Sequence, residues 1–278
     1  MHQGRIHRAI SFDGTEIAGR VAGTGPPLVL VHGGVDDGET SWGLLLPRLT
    51  DHFTCYLPST RDRGLSGEHP DHRPERLVED VTAFVESIGE PVGLLGESSG
   101  AELALGTAAR SRSVAGVVAY EPPVPEVLGE EDAERFDAVV RRMSELVEAG
   151  RSADAARVFM EAITRSEEMA ALSGTSYLED IARYTPTLLQ EIRQQKEAEE
   201  PGPTDPGTLA RITAPVLLLF GSDTGMRWFV DGVHYAARHI PEAEVRELPG
   251  LGHAGPALGV EPVAQEVVQF VGRVLQAV

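Results

Sequence analysis

A serine stands between an apolar run and a helix-favouring run, in the sequence Gly96-Glu97-Ser98-Ser99-Gly100. Residues 91–95 are apolar or small, and residues 101–105 favour a helix. The order predicts a strand, a sharp turn and a helix. Glycines two positions on either side let the backbone turn tightly, so that the Ser98 hydroxyl projects above the sheet. The segment therefore favours an α/β fold and makes Ser98 a candidate nucleophile.

Ser98 also has a simpler interpretation, because serine is a favoured N-cap residue of helices. The five-residue pattern GxSxG is weak evidence by itself in a chain with 30 glycines. The choice between the two interpretations depends on whether the rest of the chain supplies partners for a nucleophile.

Other predicted strands end in residues that could be such partners. Residues 28–31 lead into His32-Gly33-Gly34, where the glycines can present a free backbone N–H. Residues 216–220 lead into Gly221-Ser222-Asp223, which supplies a carboxylate, and residues 243–248 precede a glycine-rich loop that contains His253. Glu121 ends the predicted strand 114–120 and is a second candidate carboxylate. The chain thus offers a serine, an acid and a histidine in that order.

This order, together with the early His-Gly-Gly loop, resembles the α/β-hydrolase superfamily. The resemblance implies a mostly parallel eight-stranded sheet flanked by helices, with Ser98 on a nucleophile elbow. It also implies a catalytic triad of Ser98, Asp223 and His253. The oxyanion hole would consist of the backbone N–H groups of Gly34 and Ser99.

The identity of the acid is the least direct of these assignments. Asp223 stands two residues after Gly221, whereas the superfamily acid more commonly stands three residues after the glycine, where this chain has Thr224. Glu121 occupies an alternative position that some relatives use. We expect Asp223 to be the acid, because a turn can absorb one residue and its short side chain suits a direct bond to the imidazole.

The apolar pattern becomes purely helical between about residues 131 and 195, with no strand signal. The resemblance implies a helical cap inserted between the sixth and seventh strands. We expect core residues 1–121, a cap at 122–208 and core residues 209–278. Most apolar cap residues should form the cap's own core, and the candidates for substrate-binding walls are Phe159, Met160, Tyr177 and Tyr184.

The expected activity is that of a serine hydrolase that cleaves a carboxylic ester, lactone or thioester with an apolar part through a Ser98 acyl-enzyme. Epoxide hydrolases and haloalkane dehalogenases of the superfamily carry an aspartate at the nucleophile position, which disfavours both. Acyl transfer, perhydrolysis or C–C cleavage with the same residues stays open. A binding protein or non-hydrolytic cyclase on the same fold also stays open.

Composition excludes several other classes of function. The formal net charge is −19, with 43 acidic and 24 basic residues, so the chain lacks the basic footprint that nucleic acids require. Cys55 is the single cysteine and can form no intramolecular disulfide. The apolar runs are of strand length and the start, Met1 to Arg5, carries no leader pattern, so we expect a cytoplasmic protein without membrane attachment.

We expect a small-molecule substrate and no cofactor or metal, and a homodimer stays open. The preference for arginine over lysine suggests a bacterial source.

One further hypothesis concerns Glu97 and Glu121, which end neighbouring predicted strands. Their carboxyls could lie close together near the pocket floor, in which case one of the two pKa values would be raised. The alternatives for Glu97 are exposure to solvent or a pair with Arg61.

Overall fold

The computed structural model describes residues 5–277. Residues 1–4, on which the leader expectation partly rests, lie outside the described residues. An eight-stranded sheet forms the centre, with the strand order β1-β2-β4-β3-β5-β6-β7-β8. Strands β1 and β2 pair antiparallel with their neighbours, and the other pairs are parallel. The strands are β1 Arg5–Ile10, β2 Glu16–Gly23, β3 Pro27–Val31, β4 Thr54–Pro58, β5 Val92–Glu97, β6 Val114–Tyr120, β7 Val216–Gly221 and β8 Ala243–Leu248.

The described helices are α1 Leu46–Leu49, α2 Pro74–Ile88, α3 Ser99–Arg110, α4 Glu130–Glu148, α5 Ser152–Ile163, α6 Ser166–Ser173, α7 Tyr177–Ala182, α8 Thr185–Glu197, α9 Pro206–Leu209, α10 Arg227–His239, α11 Gly255–Leu258 and α12 Val260–Leu275. Helices α2, α3 and α10 cover one face of the sheet, and α1 and α12 cover the other. The central strands are therefore buried on both faces, which explains their continuous apolar runs. Along β3, for example, Val29 packs into the first core and Leu30 into the second.

Helices α4 to α8 lie between β6 and β7 in the chain, within the segment predicted as the cap. Their apolar faces form a third core, which includes Met143 and Ile181 and also takes in Val35 from the loop after β3. Polar contacts attach this unit to the sheet domain. The Tyr184 hydroxyl donates to Asp37 Oδ2 at 2.5 Å, and the Arg63 guanidinium contacts Glu191 Oε2 at 2.8 Å.

The elbow and the loop after β3 are in close contact. A Cβ atom on Gly100 would lie 2.2 Å from the carbonyl oxygen of Val31 and 2.4 Å from that of His32. Only glycine allows the first turn of α3 to approach β3 this closely. This contact brings the His32-Gly33-Gly34 loop beside Ser98.

None of the helices described between residues 5 and 277 is long and apolar enough to cross a membrane.

Candidate active site

Ser98 lies on the turn between β5 and α3, as the elbow sequence predicts. Its backbone has φ 52° and ψ −129°, and its N–H donates to the carbonyl oxygen of Tyr120 at 2.9 Å. A residue with a side chain rarely adopts a positive φ, and such conformations occur frequently at functional sites. A Cβ on Gly96 would lie 2.3 Å from the Gly100 carbonyl oxygen, so the glycines that flank the serine are required for this turn.

His253 lies in the loop after β8 and reaches Ser98. Its Nε2 atom is 3.1 Å from Ser98 Oγ, and its ring is nearly parallel to that of Phe229, with 3.9 Å between ring centroids. The hydroxyl of Tyr120 donates to the carbonyl oxygen of Gly252 at 2.6 Å, next to the histidine. Stacking on Phe229 therefore holds the His253 ring, and the Tyr120 hydrogen bond holds the backbone beside it.

The other imidazole nitrogen contacts Glu121, which follows β6. Oε2 of this fully buried glutamate lies 2.7 Å from His253 Nδ1. An ionised carboxylate can only accept hydrogen bonds, so Nδ1 carries the hydrogen and Nε2 is left to accept from the Ser98 hydroxyl. Glu121 Oε1 accepts from the Gly221 N–H at 2.9 Å and from the Thr224 hydroxyl. The carboxylate is thus fixed on both oxygens.

The structure corrects the expected position of the acid from Asp223 to Glu121. The turn after β7 directs Asp223 to the surface, where its side chain is 46% exposed and pairs with Arg165 at 3.2 Å. The backbone N–H of Asp223 donates to the Leu251 carbonyl oxygen at 2.9 Å, which fixes that direction. The next residue, Thr224, occupies the commoner acid position and donates its hydroxyl to Glu121. Glu121 itself has φ 47°, a turn that aims its side chain at His253.

The two expected oxyanion donors lie side by side. A Cβ on Gly34 would be 3.3 Å from Ser99 Oγ, and both residues line the same cavity as Ser98. Neither backbone N–H has an acceptor within the described part of the chain, so both are available to a ligand. Their role as oxyanion donors stays a prediction.

His32 is buried and hydrogen-bonded to the Gly33-Gly34 loop. Its Nδ1–H donates to the Gly33 carbonyl oxygen at 2.8 Å, and its Nε2 accepts the Thr60 N–H at 3.0 Å. This arrangement requires a neutral imidazole. Burial, followed by the nearby Arg63 charge, lowers the pKa of His32 to about 4.

Glu97 does not form the carboxyl pair with Glu121 that its position suggested. Its Oε1 atom accepts from the Ser41 hydroxyl, and the Arg61 guanidinium pairs with Asp80 at 2.6 Å instead. The acidic neighbour of Glu97 is Asp36, whose pKa burial raises first and the Glu97 charge raises further. Parallel strands β5 and β6 do place the two glutamates at one edge, but their side chains lie in different networks.

Two cavities meet at Ser98. The first, of about 380 Å³, has mostly apolar walls that include Leu103, Leu188, Ile192, Trp228 and Phe229. The second, of about 710 Å³, is more polar and also borders His253. The four cap residues expected to form pocket walls, Phe159, Met160, Tyr177 and Tyr184, all line the second cavity. Their contact with a substrate stays a prediction.

Sequence reasoning did not identify the acidic side chains of the loop after β3. Asp36 and Asp37 line the second cavity and bind the cap tyrosines Tyr177 and Tyr184, respectively. The sequence signal was the pair of adjacent aspartates directly after His32-Gly33-Gly34-Val35. Between residues 5 and 277, no group of three His, Cys, Asp or Glu side chains is arranged to hold a metal ion.

The sequence profile of the alpha/beta hydrolase family matches residues 28–269 of this chain. The chain belongs to the alpha/beta hydrolase family. This confirms the fold class and the family resemblance. The profile spans the elbow, the cap and the histidine loop, so one match covers every element of the candidate site.

Two sets of relatives agree with the family. The chain is 34% identical to N-formylmaleamate deformylase of Pseudomonas putida over 109 residues, which is 38% of this chain and 40% of the relative. An alpha/beta hydrolase from Sphaerobacter thermophilus has 26% identity and a TM-score of 0.75, over 95% of this chain and 99% of that one. An esterase from Rhodococcus sp. ECU1013 has 23% identity and a TM-score of 0.76, over 97% of this chain and 99% of that one.

The deformylase match is therefore partial, because it spans less than half of that relative. The structural matches extend over nearly the whole chain, and at 23% identity the Rhodococcus esterase shows a shared fold alone.

Proposed function

We propose that this chain is a serine hydrolase that cleaves a carboxylic ester, lactone or thioester with an apolar part. The observation that carries the proposal is the continuous hydrogen-bonded chain from the Ser98 hydroxyl through His253 to the buried Glu121 carboxylate. A weak hydroxyl nucleophile needs an adjacent base, and the base needs a third group that orients it. All three are present within hydrogen-bonding distance.

In the proposed reaction, His253 Nε2 removes the Ser98 proton as Oγ attacks the acyl carbon. The positive charge that develops on the imidazole is stabilised by Glu121, which accepts the Nδ1–H throughout. The negative charge that develops on the acyl oxygen is bound by the N–H groups of Ser99 and Gly34. His253 then protonates the leaving group.

Deacylation repeats these steps with water as the nucleophile. His253 removes a proton from the water, the acyl–Oγ bond breaks, and the proton returns to Ser98 Oγ. Phe229 covers one face of the imidazole and keeps it in place through both half-reactions. The free acid is released and Ser98 is regenerated.

The apolar walls of the 380 Å³ cavity support a substrate with a hydrophobic acyl or alcohol part. The name of a partial relative, N-formylmaleamate deformylase, supports acyl–nitrogen bonds as an alternative to esters. We favour esters, because an ester leaving group makes smaller demands on proton transfer than an amine does.

A panel of p-nitrophenyl esters of increasing chain length tests the proposal. We expect turnover by the wild-type protein and its loss in Ser98→Ala. Product analysis with added alcohol or hydrogen peroxide measures whether water is the final acyl acceptor. A folded wild-type protein that neither hydrolyses nor transfers any acyl group would favour the binding-protein or cyclase alternative.

A further inference from the structure

The second cavity is lined by a buried aspartate, Asp36, and one of its carboxyl oxygens has no hydrogen-bond partner within residues 5–277. Asp36, in the loop after β3, is only 4% exposed. Its Oδ2 atom accepts the Tyr177 hydroxyl at 2.9 Å, whereas Oδ1 has no partner within residues 5–277. Buried polar atoms normally have a hydrogen-bond partner, so an unpartnered one calls for an explanation such as a bound ligand.

Both carboxyl oxygens of the neighbouring acid, Asp37, have hydrogen-bond partners. Its Oδ1 accepts backbone N–H groups of Glu39 and Thr40 at 2.9 and 2.8 Å. Its Oδ2 accepts from the Tyr184 hydroxyl at 2.5 Å and from Arg183 at 3.1 Å. Asp36 and Asp37 are adjacent in sequence, so the contrast between a satisfied and an unsatisfied carboxyl is local and specific.

The walls of this cavity carry an excess of negative groups. Asp36, Asp37, Glu39, Glu97 and Asp180 all line it. The arginine in its wall, Arg183, has a 63% exposed side chain that is already paired with Asp37. Burial raises the pKa of Asp36 and of Glu97, and the Arg63 charge, which acts on Asp36 in the opposite direction, does not offset this.

The remaining walls suit an organic cation. The rings of Phe159, Tyr177 and Tyr184 line the same cavity, and aromatic faces attract ammonium groups. Arg183 already lies over the Tyr184 ring, 4.7 Å from its centroid, which shows that a cation is compatible with this surface. No grouping suited to a metal ion is present among residues 5–277, so the described ligand set does not favour an inorganic cation.

We propose that the second cavity binds an ammonium group of the substrate, with the Asp36 carboxyl as its hydrogen-bond acceptor. The substrate would then be an amine-bearing ester whose apolar part occupies the first cavity and whose scissile carbonyl lies at Ser98 between the two. The inference rests on the proposed function, because the second cavity is connected to Ser98 and His253.

Binding of three five-carbon probes, measured by calorimetry at pH 7, tests the inference without requiring turnover. The probes are pentylammonium, 1-pentanol and pentanoate. We expect pentylammonium to bind at least about tenfold more tightly than pentanol, because a hydrogen bond to a charged group is roughly twice as strong as a neutral one. Pentanoate should bind most weakly. Equal binding of the three, or preferred binding of pentanol or pentanoate, would overturn the inference.

The variants Asp36→Asn and Glu97→Gln should each reduce the preference for pentylammonium by about tenfold. Asp154→Asn is the matched control, because Asp154 lies on α5 outside the cavity and pairs with Arg151 at the surface. Thermal unfolding verifies that each variant is folded, and the Glu97 variant provides the test if the Asp36 variant is not. An unchanged preference for pentylammonium in either folded variant contradicts the role of the Asp36 and Glu97 carboxyls in binding the ammonium group.

Turnover separates this inference from the proposed function. Two pairs of esters are compared, p-nitrophenyl 6-aminohexanoate with heptanoate, and 4-aminobutyl with pentyl hexanoate, so that either orientation of the substrate is covered. A preference for the amine in one pair supports the inference. Hydrolysis of the neutral esters without any amine preference contradicts the ammonium site and leaves the proposed function intact, whereas failure with every ester contradicts the proposed function.

Discussion

Glu121 Oε2 lies 2.7 Å from His253 Nδ1, and this contact places the acid of the candidate site at the end of β6. We expect Glu121→Gln to lower kcat by several orders of magnitude. Loss of the acid in the best-studied triad costs about 10⁴-fold, because an amide side chain stabilises the wrong imidazole tautomer. Steady-state turnover of a p-nitrophenyl ester measures the effect.

Asp223→Asn is the matched control for that variant, because Asp223 lies at the surface on an ion pair with Arg165. Its kcat should stay within about twofold of wild type, since an exposed pair contributes little. The reverse ranking of the two variants would return the acid to the position that the sequence suggested.

The difference between prediction and structure at this acid has a local cause. The elbow around Ser98 and the loops of Gly34 and His253 could be predicted, because each follows an apolar strand and has glycines in characteristic positions. The choice between Glu121 and Asp223 depends on the direction of two turns, which the strand pattern does not encode. Thr224 at the commoner acid position was the sequence signal that favoured Glu121.

Other features arise from packing between distant segments and could not be predicted from the chain. Asp36 meets Tyr177 across 141 positions of sequence, and Glu97 meets Ser41 rather than Glu121. The apolar pattern of the cap indicated its helices but not which residues face the sheet domain. Glu168, which contacts the histidine loop, gave no signal at all.

Glu168 is expected to position His253 from the cap. Its carboxylate, on α6, accepts the Ala254 N–H at 3.1 Å and the Arg165 N–H at 3.0 Å. Glu168→Ala should lower kcat by about 10- to 100-fold with little change in KM, because a small displacement of a catalytic group is costly. Glu168→Gln, which retains an acceptor oxygen, should recover most of the loss.

The neighbouring Glu167→Ala is the control, because Glu167 lies exposed on the same helix. Steady-state kinetics with one neutral ester are sufficient for all three variants. A Glu168→Ala protein with wild-type kcat would show that the cap does not position the histidine loop.

Gly100 is expected to be indispensable for stability. An alanine Cβ at this position would lie 2.2 Å from the Val31 carbonyl oxygen, so Gly100→Ala must displace α3 or β3. We expect a decrease in the free energy of unfolding on the order of 1–3 kcal/mol, as for other overpacked cores. Chemical denaturation measures this value.

Gly272 provides a control, because substitution there is expected to change the free energy of unfolding in the opposite direction. It lies within α12, and a Cβ there would meet no atom within 4 Å. Gly272→Ala should therefore stabilise the protein by up to about 1 kcal/mol through helix propensity. If the two substitutions change the free energy of unfolding equally, the close contact at Gly100 does not determine the effect of Gly100→Ala.

His32 is expected to make stability depend on pH. Because its folded pKa is lowered to about 4 from 6.5, the folded state binds fewer protons than the unfolded state between these values. Its contribution is complete above pH 6.5 and decreases as the pH falls to about 4. At about 1.4 kcal/mol per pKa unit, the decrease is roughly 3 kcal/mol.

The free energy of unfolding at pH 7, 5.5 and 4.5 measures this dependence. His32→Gln should be less stable at pH 7 but should lose less stability on acidification, because glutamine does not titrate. His52→Gln, at an exposed position, should follow the wild-type slope. Parallel slopes for wild type and His32→Gln would contradict a neutral buried His32.

The most direct test of Ser98 as the activated nucleophile is covalent labelling of the intact protein with a fluorophosphonate, followed by peptide mass spectrometry. Labelling requires an activated serine hydroxyl, which the 3.1 Å contact with His253 Nε2 provides for Ser98. We predict one adduct per chain, on Ser98, that is absent in Ser98→Ala and strongly slowed in His253→Ala. Labelling of Ser66, Ser99 or Ser222 instead, or of no serine in the folded protein, would contradict the assignment.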